Sequence, residues 1–311
     1  MRPTGPKLDK DGFPIPQGFD EAGVEDPARG GNATVRRIRW VLRMAPVAAL
    51  LAFIWTHYDV GATLSDKIGL YFGQEALNLY DRRDLPRALV AADRAVRWSP
   101  KNAKLLEIRC KLKFANMEFD AALADAETAL ELKPIDLRLH GIRRTLLHYL
   151  QRHHETAVAA TELLQKKLGD RIGLLNDRAY SRALGGFELL EALDDMNEVL
   201  AKEPKNASYI DTRGYVRLKL GKFDEAMEDL EKAISIVMKQ RDEVEEFAVR
   251  QNPRGEFGRM YQSQMQTFDH NLAVMLHHRG EVYEKLGEQR KAEADFRAAE
   301  RYGYSVEEGV Y

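Results

Sequence analysis

The chain's apolar and small residues recur with a fixed period. In YIDTRGYVRLKLGKFDEAMEDLEKAI, Tyr209 to Ile234, an Arg-Gly pair precedes Leu-Gly-x-Phe and then alanines at Ala226 and Ala233. The stretch ANMEFDAALADAETALELKP repeats the phrase with Phe119, Ala122 and Ala129 and ends at Pro134. In RRDLPRALVAADRAVRWSP the same places hold Ala88 and Ala95, before Pro100. Pro100 and Pro134 are 34 residues apart. A fourth copy ends at Pro204 and a last one begins HHRGEVYEKLGEQRKAEADF. Between Pro134 and the fourth copy lies a worn repeat, LHGIRRTLLHYLQRHHETAVAATELL, which keeps the length and the apolar spacing. Six copies fit, and repetition at this period signals stacked supersecondary units.

Each copy predicts a pair of helices. Small residues let the two helices cross closely, large ones fill the space between pairs, and glycine or proline stops each helix. A single hairpin cannot bury its apolar face, so neighbours must stack. The pattern therefore predicts an all-α solenoid of about six helix-turn-helix units, with the first helix of each lining a concave surface. These residues resemble the tetratricopeptide repeat family over roughly residues 69–240 and 273–306. The resemblance implies a right-handed superhelical solenoid that binds other polypeptides in its groove.

Charges recur with the same period. Arg109, Arg143, Arg178, Arg213 and Arg279 occupy one place in the first helices, and Asp125, Asp195, Asp229 and Asp295 one place in the second. Four repeats hold both, as Arg109 with Asp125, Arg178 with Asp195, Arg213 with Asp229 and Arg279 with Asp295. The first repeat has Glu75 and Ala91 there, and the worn third sets Arg143 against Ala159. The joint occurrence predicts a structural ion pair across each of these four hairpins; two unrelated solvated charges are the alternative.

Composition changes the picture mainly at the N-terminus. With 44% hydrophobic and 31% charged residues and a net charge of −2, the 311-residue chain can form a substantial fold and gives no reason to expect nucleic acid as a partner. The first 33 residues include five prolines and six glycines, which predicts a disordered tail. From Trp40 to Tyr58 the only formal charge is Arg43, and nineteen helical residues at about 1.5 Å each just cross a hydrocarbon core of about 30 Å. The expectation is a single transmembrane signal-anchor helix preceding the solenoid. A cleaved signal peptide and a buried apolar helix are the other readings. Arg36, Arg37, Arg39 and Arg43 on its N-terminal side predict a cytoplasmic tail and extracytoplasmic repeats. The resulting organisation is a tail at 1–35, an anchor at 36–58, repeats one to five at 69–240, an inserted helical hairpin at 241–272, and the sixth repeat with a C-terminal tail at 273–311.

No sequence motif points to catalysis. There is no Walker loop, nucleophile elbow or HExxH signature, so the expectation is a non-enzyme without cofactor. The lone Cys110 stands where other repeats have Ala76, Ala179, Gly214 or Gly280, which predicts a small packing residue. His140, His148, His153 and His154, with His270, His277 and His278 further on, lack metal-site spacing, and a solvated turn is expected around His153 rather than a metal site. What the resemblance implies for binding is a groove carrying Lys104, Lys111 and Arg138, then Asn176 and Tyr180, then Asp211 and Tyr215, then His277 and Glu281. The alternative is that Tyr180 and Tyr215 fill the groove by packing. A version of the family that clamps a terminal carboxylate has lysines and asparagines where this chain has Gly73, Leu77, Ile108 and Ile142, so that clamp is missing. The insertion brings Phe247, Phe257, Met260, Tyr261, Met265 and Phe268 to a hairpin turning near Pro253, either zipped together or open to a partner. The expected partners are a protein or peptide in the groove and a membrane through residues 40–58. Homo-oligomeric organisation, or service as a non-catalytic subunit of a membrane enzyme, are the alternatives.

Overall fold

The computed structural model describes Trp40, residues 44–50, Phe53, residues 60–251 and residues 255–305. The chain divides into two compact units, Met1–Leu70 and Tyr71–Tyr311. In the first, residues 44–50 are helical and a longer helix begins at Val60. The expected tail at 1–35 and most of the expected anchor at Trp40 to Tyr58 lie outside the described residues. Among those described, no helix is long and apolar enough to cross a membrane.

The helices are α1 (Val60–Asp81), α2 (Leu85–Trp98), α3 (Ala103–Ala115), α4 (Phe119–Leu132), α5 (Leu137–Tyr149), α6 (His153–Lys166), α7 (Arg171–Gly185), α8 (Leu189–Lys202), α9 (Ala207–Lys219), α10 (Phe223–Gln251), α11 (Gly255–Lys285) and α12 (Gln289–Arg301). They form six successive hairpins, each an odd-numbered helix followed by an even-numbered one. The first helix starts at Val60 rather than near residue 69. Leu64, Ile68, Phe72 and Ala76 continue the four-residue apolar spacing back past residue 69, with no proline to stop it.

Two local rules fix where helices begin and turn. Four first helices are capped by a side chain two residues after a proline or one after a glycine: Asn102, Asp136, Asp170 and Asn206 each accept hydrogen bonds from the first free backbone N–H groups of their helix. Within each hairpin the first helix closes on a residue in the left-handed region, Arg83, Met117, Gln151, Gly186, Gly221 or Gly287. The following N–H then reaches back five residues, as from Glu118 to the Lys113 carbonyl at 2.9 Å and from Lys222 to that of Arg217 at 2.9 Å, which satisfies carbonyls the helix end would strand.

The crossing points are small and shut. Ala76, Ala88, Ala122, Ala129, Ala179, Ala192, Ala226, Ala233 and Ala292 are at most 0% exposed. A Cβ added at Gly280 would lie 2.5 Å from Phe296, so the ring occupies the space of a side chain. In the worn hairpin Arg144 stands at this crossing and pairs with Asp177 of the next hairpin at 3.1 Å. The insertion lengthens α10 to 29 and α11 to 31 residues. Arg241 donates to Asp269 at 3.1 Å, and the Phe247 and Phe257 rings meet edge to face at 6.1 Å. Phe268 packs into the core shared by α10, α11 and α12. The turn near Pro253 lies outside the described residues.

Candidate functional site

The repeated arginines and aspartates meet. Arg109, Arg178, Arg213 and Arg279 each donate from Nε and Nη2 to both carboxylate oxygens of Asp125, Asp195, Asp229 and Asp295, at 2.5 to 2.8 Å. All four aspartates are buried, and a fork-to-fork geometry is what makes an arginine the right cation for them. Sequence reasoning missed a second cation one turn later. Lys113, Arg182 and Arg217 reach the same aspartates at 2.8, 2.9 and 2.5 Å. The signal was present as a basic residue four positions after each arginine. In the sixth hairpin that place holds Tyr283, and the Arg279 guanidinium lies 5.8 Å from its ring. Arg143, lacking an aspartate, is drawn instead to Glu127 at 3.4 Å and Glu162 at 3.6 Å.

The surface formed by the first helices holds two depressions of opposite character. Between α1, α3 and α5 lies a pocket of about 590 Å³ whose walls include Leu77, Tyr80, Ile108, Phe114, Ile142 and Leu146. Lys111 and Arg138 stand on its rim, both exposed. Lys111 donates to Glu107 at 2.7 Å and Arg138 approaches the same oxygen at 3.8 Å, so one carboxylate is shared by two cations. Lys104 is exposed at the start of α3. Cys110 lines the pocket yet is 1% exposed, and burial pushes its thiol up to about 12, which keeps it protonated and unreactive at neutral pH.

The second depression, about 190 Å³, is lined by α7, α9 and α11, with Asn176, Tyr180, Asp211, Thr212 and His270 among its walls. Behind it the expected groove residues are locked inside. Tyr215 stacks on His278 with centroids 4.0 Å apart, and His278 Nδ1 lies 3.1 Å from Asp211. Asp211, Tyr215 and His278 are 6%, 5% and 3% exposed. The expectation that Asp211 and Tyr215 face a ligand is thereby corrected for Tyr215, while Asp211 lines the cavity with both carboxylate oxygens against His278 Nδ1. The cause is α11, which lays His278 across α9 and closes the groove by packing. Tyr180 is half-buried against both rings, at 5.7 and 6.0 Å. Asn176 is half-buried, and its buried Oδ1 has no hydrogen-bond donor among the described residues.

His277 and Glu281 also interlock. His277 lies 3.4 Å and Lys219 3.0 Å from Glu281. Burial alone would raise this carboxyl, but the hydrogen bonds from His277 and Lys219 prevail and hold it at about 2. Around the worn hairpin, His154 is exposed, whereas His148 and His153 are half-buried. Desolvation, with the charge of His153 beside it, lowers the His148 imidazole to about 4. The turn expected around His153 is instead the start of α6, where His154 is exposed and His153 is half-buried with its Nδ1 enclosed, while His148 lies 6.2 Å from Tyr180 between ring centroids. Among the described residues no cluster of three His, Cys, Asp or Glu is placed to hold a metal ion.

The family profile described as Tetratricopeptide repeat matches residues 207–236 and 273–302. A tetratricopeptide repeat protein from Parabacteroides merdae has a similar structure, with a TM-score of 0.52 at 18% identity over 78% of this chain and 95% of that one. PilW, a type IV pilus biogenesis factor, gives a TM-score of 0.49 at 16% identity over 77% and 96%. YrrB, described as a TPR protein with an unusual peptide-binding site, gives 0.45 at 21% identity over 53% and 84%. No curated protein matches this chain. Two of the six hairpins thus carry the sequence signature of the tetratricopeptide repeat, and the whole run of hairpins has the fold of a tetratricopeptide solenoid.

Proposed function

We propose that this chain is a non-catalytic interaction scaffold that holds a segment of another polypeptide against its first helices. The observation that carries this reading is the pocket of about 590 Å³ between α1, α3 and α5, apolar on its walls and rimmed by Lys111 and Arg138. Such a site suits an apolar side chain flanked by carboxylates. Burial of the apolar group gives residence, and the two cations with nearby Lys104 speed encounter and set polarity. Further along, Asn176 offers a buried acceptor to a backbone N–H. The test is fluorescence anisotropy with acidic peptides carrying a single leucine. Lys111→Glu with Arg138→Glu should weaken binding in a salt-dependent way. Thr145→Trp, which fills the pocket from its rim, should weaken it at every salt concentration. If both variants keep wild-type helicity and wild-type affinity, the site lies elsewhere.

The scaffold is held at a membrane by Trp40 to Tyr58, with the tail cytoplasmic and the repeats extracytoplasmic. The arginines preceding the apolar run support that orientation. Protease added to spheroplasts should digest the repeats and spare a short tail peptide; protected repeats would reverse the topology, and release of the chain by alkaline carbonate would remove the anchor. A homo-oligomeric organiser is the second reading, favoured by Phe247, Val249 and Met260 at 52%, 79% and 64% exposure in the inserted hairpin. Sedimentation equilibrium of a chain starting at residue 60 separates the two, since a monomer would leave only the scaffold.

A further inference from the structure

The second helices differ in charge along the solenoid. Helix α2 holds three arginines and one aspartate, whereas α4 holds two aspartates and two glutamates with no basic residue, and α8 holds four acids against one lysine. The turns flanking α2 add Arg82, Arg83 and Lys101, all exposed, in a chain whose net charge is −2. The two acids of this stretch are already engaged. Asp84 caps α2 by accepting from the Arg87 N–H and also pairs with the Arg87 guanidinium at 3.4 Å, which leaves that side chain 79% exposed, and Asp93 accepts from Arg109 of α3 at 3.2 Å. At about 100° per residue, Arg97, Val90, Arg94, Arg87 and Trp98 follow one another across a single outer face. Val90 is 52% and Trp98 46% exposed on that face. Arg94 is exposed on that face and lies 5.9 Å from the Phe72 ring of α1.

We propose that this outer face of α2 docks on an anionic phospholipid bilayer. Interspersed arginines with an exposed tryptophan and valine are the composition of a helix that lies in a headgroup layer, with guanidinium groups on phosphates and the apolar side chains just beneath. A multivalent anionic plane satisfies all these cations at once, and the attraction decays within a Debye length. A second copy of the chain docking face to face by two-fold symmetry would set these arginines against each other. Single-stranded nucleic acid would need a row of aromatic side chains to stack on, and this face offers one. The inference does not depend on the apolar segment at 40–58, and it adds a second contact with the bilayer, made by the folded repeats themselves.

The experiment uses the full chain with Trp40→Phe and Trp55→Phe, so that Trp98 reports alone. The chain is mixed with vesicles of phosphatidylcholine, or of phosphatidylcholine with phosphatidylglycerol, containing lipids brominated near the headgroup. With anionic vesicles Trp98 emission should shift to the blue and be quenched, and salt at about 1 M should reverse both. With neutral vesicles neither should occur. Arg87→Gln with Arg94→Gln and Arg97→Gln should lower the anionic quenching at least about tenfold without change in helicity. Equal quenching in the two lipids, or none in either, overturns the proposal. So does a shift of Trp98 by soluble polyglutamate as large as that by anionic vesicles, which would assign the face to an acidic protein. Carbonate extraction of the same vesicles reports separately on residues 40–58.

Discussion

In hairpins four to six every arginine of the repeated pair has its aspartate, every hairpin turns on a glycine, and Tyr215 and His278 fill the space between first helices. In hairpins one to three the pair is present only in the second, the turns run through Arg83, Met117 and Gln151, and the space between first helices stays open as a pocket of about 590 Å³. One phrase of sequence thus builds a half in which local rules agree and a half in which several are broken. Consistency across levels makes a repeat rigid and self-satisfied, and departures from it gather where a surface is kept for something else. The exposed cations and the apolar pocket lie in the half with the departures.

The comparison breaks most sharply at the ion pairs. Asp229→Ala strands Arg213 and Arg217, whose side chains are 22% and 18% exposed, and should cost about 3 to 5 kcal/mol. Arg143→Ala removes contacts to Glu127 and Glu162, both more than 40% exposed, and should cost about 0 to 1 kcal/mol. Urea unfolding of a chain starting at residue 60 measures both. Arg213→Ala combined with Asp229→Ala should cost less than the sum of the two singly, because Arg217 is then the one cation deprived of Asp229 and it keeps Glu225 at 3.2 Å. Equal costs at Asp229 and Arg143 would mean that the two halves are held alike.

The groove offers the next contrast. Tyr215→Ala removes a ring stacked on His278 and should cost about 3 to 5 kcal/mol of stability, the range for deleting a buried aromatic. Lys111→Ala, at an exposed rim, should stay within about 0.5 kcal/mol. A Tyr215→Ala chain with wild-type thermal stability would return this tyrosine to the list of ligand contacts.

Much of this was legible in the sequence, and the reasons for the rest are physical. The six hairpins followed from small residues and stops, because close crossing and helix ends depend on residues near in sequence. Four bidentate pairs followed from joint occurrence at one spacing. Burial of Asp211 did not follow, since its partner His278 is 67 residues away in the next hairpin. Lys113, Arg182 and Arg217 were passed over because a basic residue on a helix usually faces water. The capping residues Asn102, Asp136 and Asn206, each two places after Pro100, Pro134 or Pro204, repeat as faithfully as the alanines and escaped notice only because small residues were being compared. Leu77, Ile108 and Ile142 stand at positions that the resemblance gives to a carboxylate clamp, but only the packing of three hairpins makes them the apolar walls of one pocket.

Acid should loosen the N-terminal half first. His148 titrates near 6.5 in the unfolded chain and at about 4 in the folded one, because burial disfavours the imidazolium. As the pH falls below 6.5 the unfolded chain takes up the proton before the native one does, so stability declines until about pH 4, by on the order of 3 kcal/mol in all. Glu281 in the last hairpin also has a lowered folded value, about 2 against 4.5, so its contribution persists above 4.5 and is lost only below that. Stability measured between pH 7 and 4 should therefore fall in the wild type and fall less in His148→Leu, where His153, also lowered by burial, still contributes. Equal slopes in the two chains would show that another group carries the acid response.

The smallest effect separates the turns. Met117 is 73% exposed and sits at φ 61°, in the left-handed region that costs a side-chain-bearing residue about 1 to 2 kcal/mol. Gly221 holds the equivalent place in the fifth hairpin at φ 77°, and a Cβ added there would meet nothing within 4 Å. Packing therefore plays no part in either substitution, and the backbone alone decides. Met117→Gly relieves the strain but frees the unfolded chain, at about 0.4 to 1 kcal/mol, and should be net stabilising by about 0.5 to 1 kcal/mol. Gly221→Ala imposes the strain with the opposite entropy change and should be destabilising by a similar amount. Amide hydrogen exchange resolves which hairpin responds, and each substitution should shift protection most in its own turn. Opposite signs at Met117 and Gly221 would establish that the second hairpin carries turn strain that the fifth has shed. Like signs, or no change at either, would mean that the turns contribute nothing to the difference between the halves.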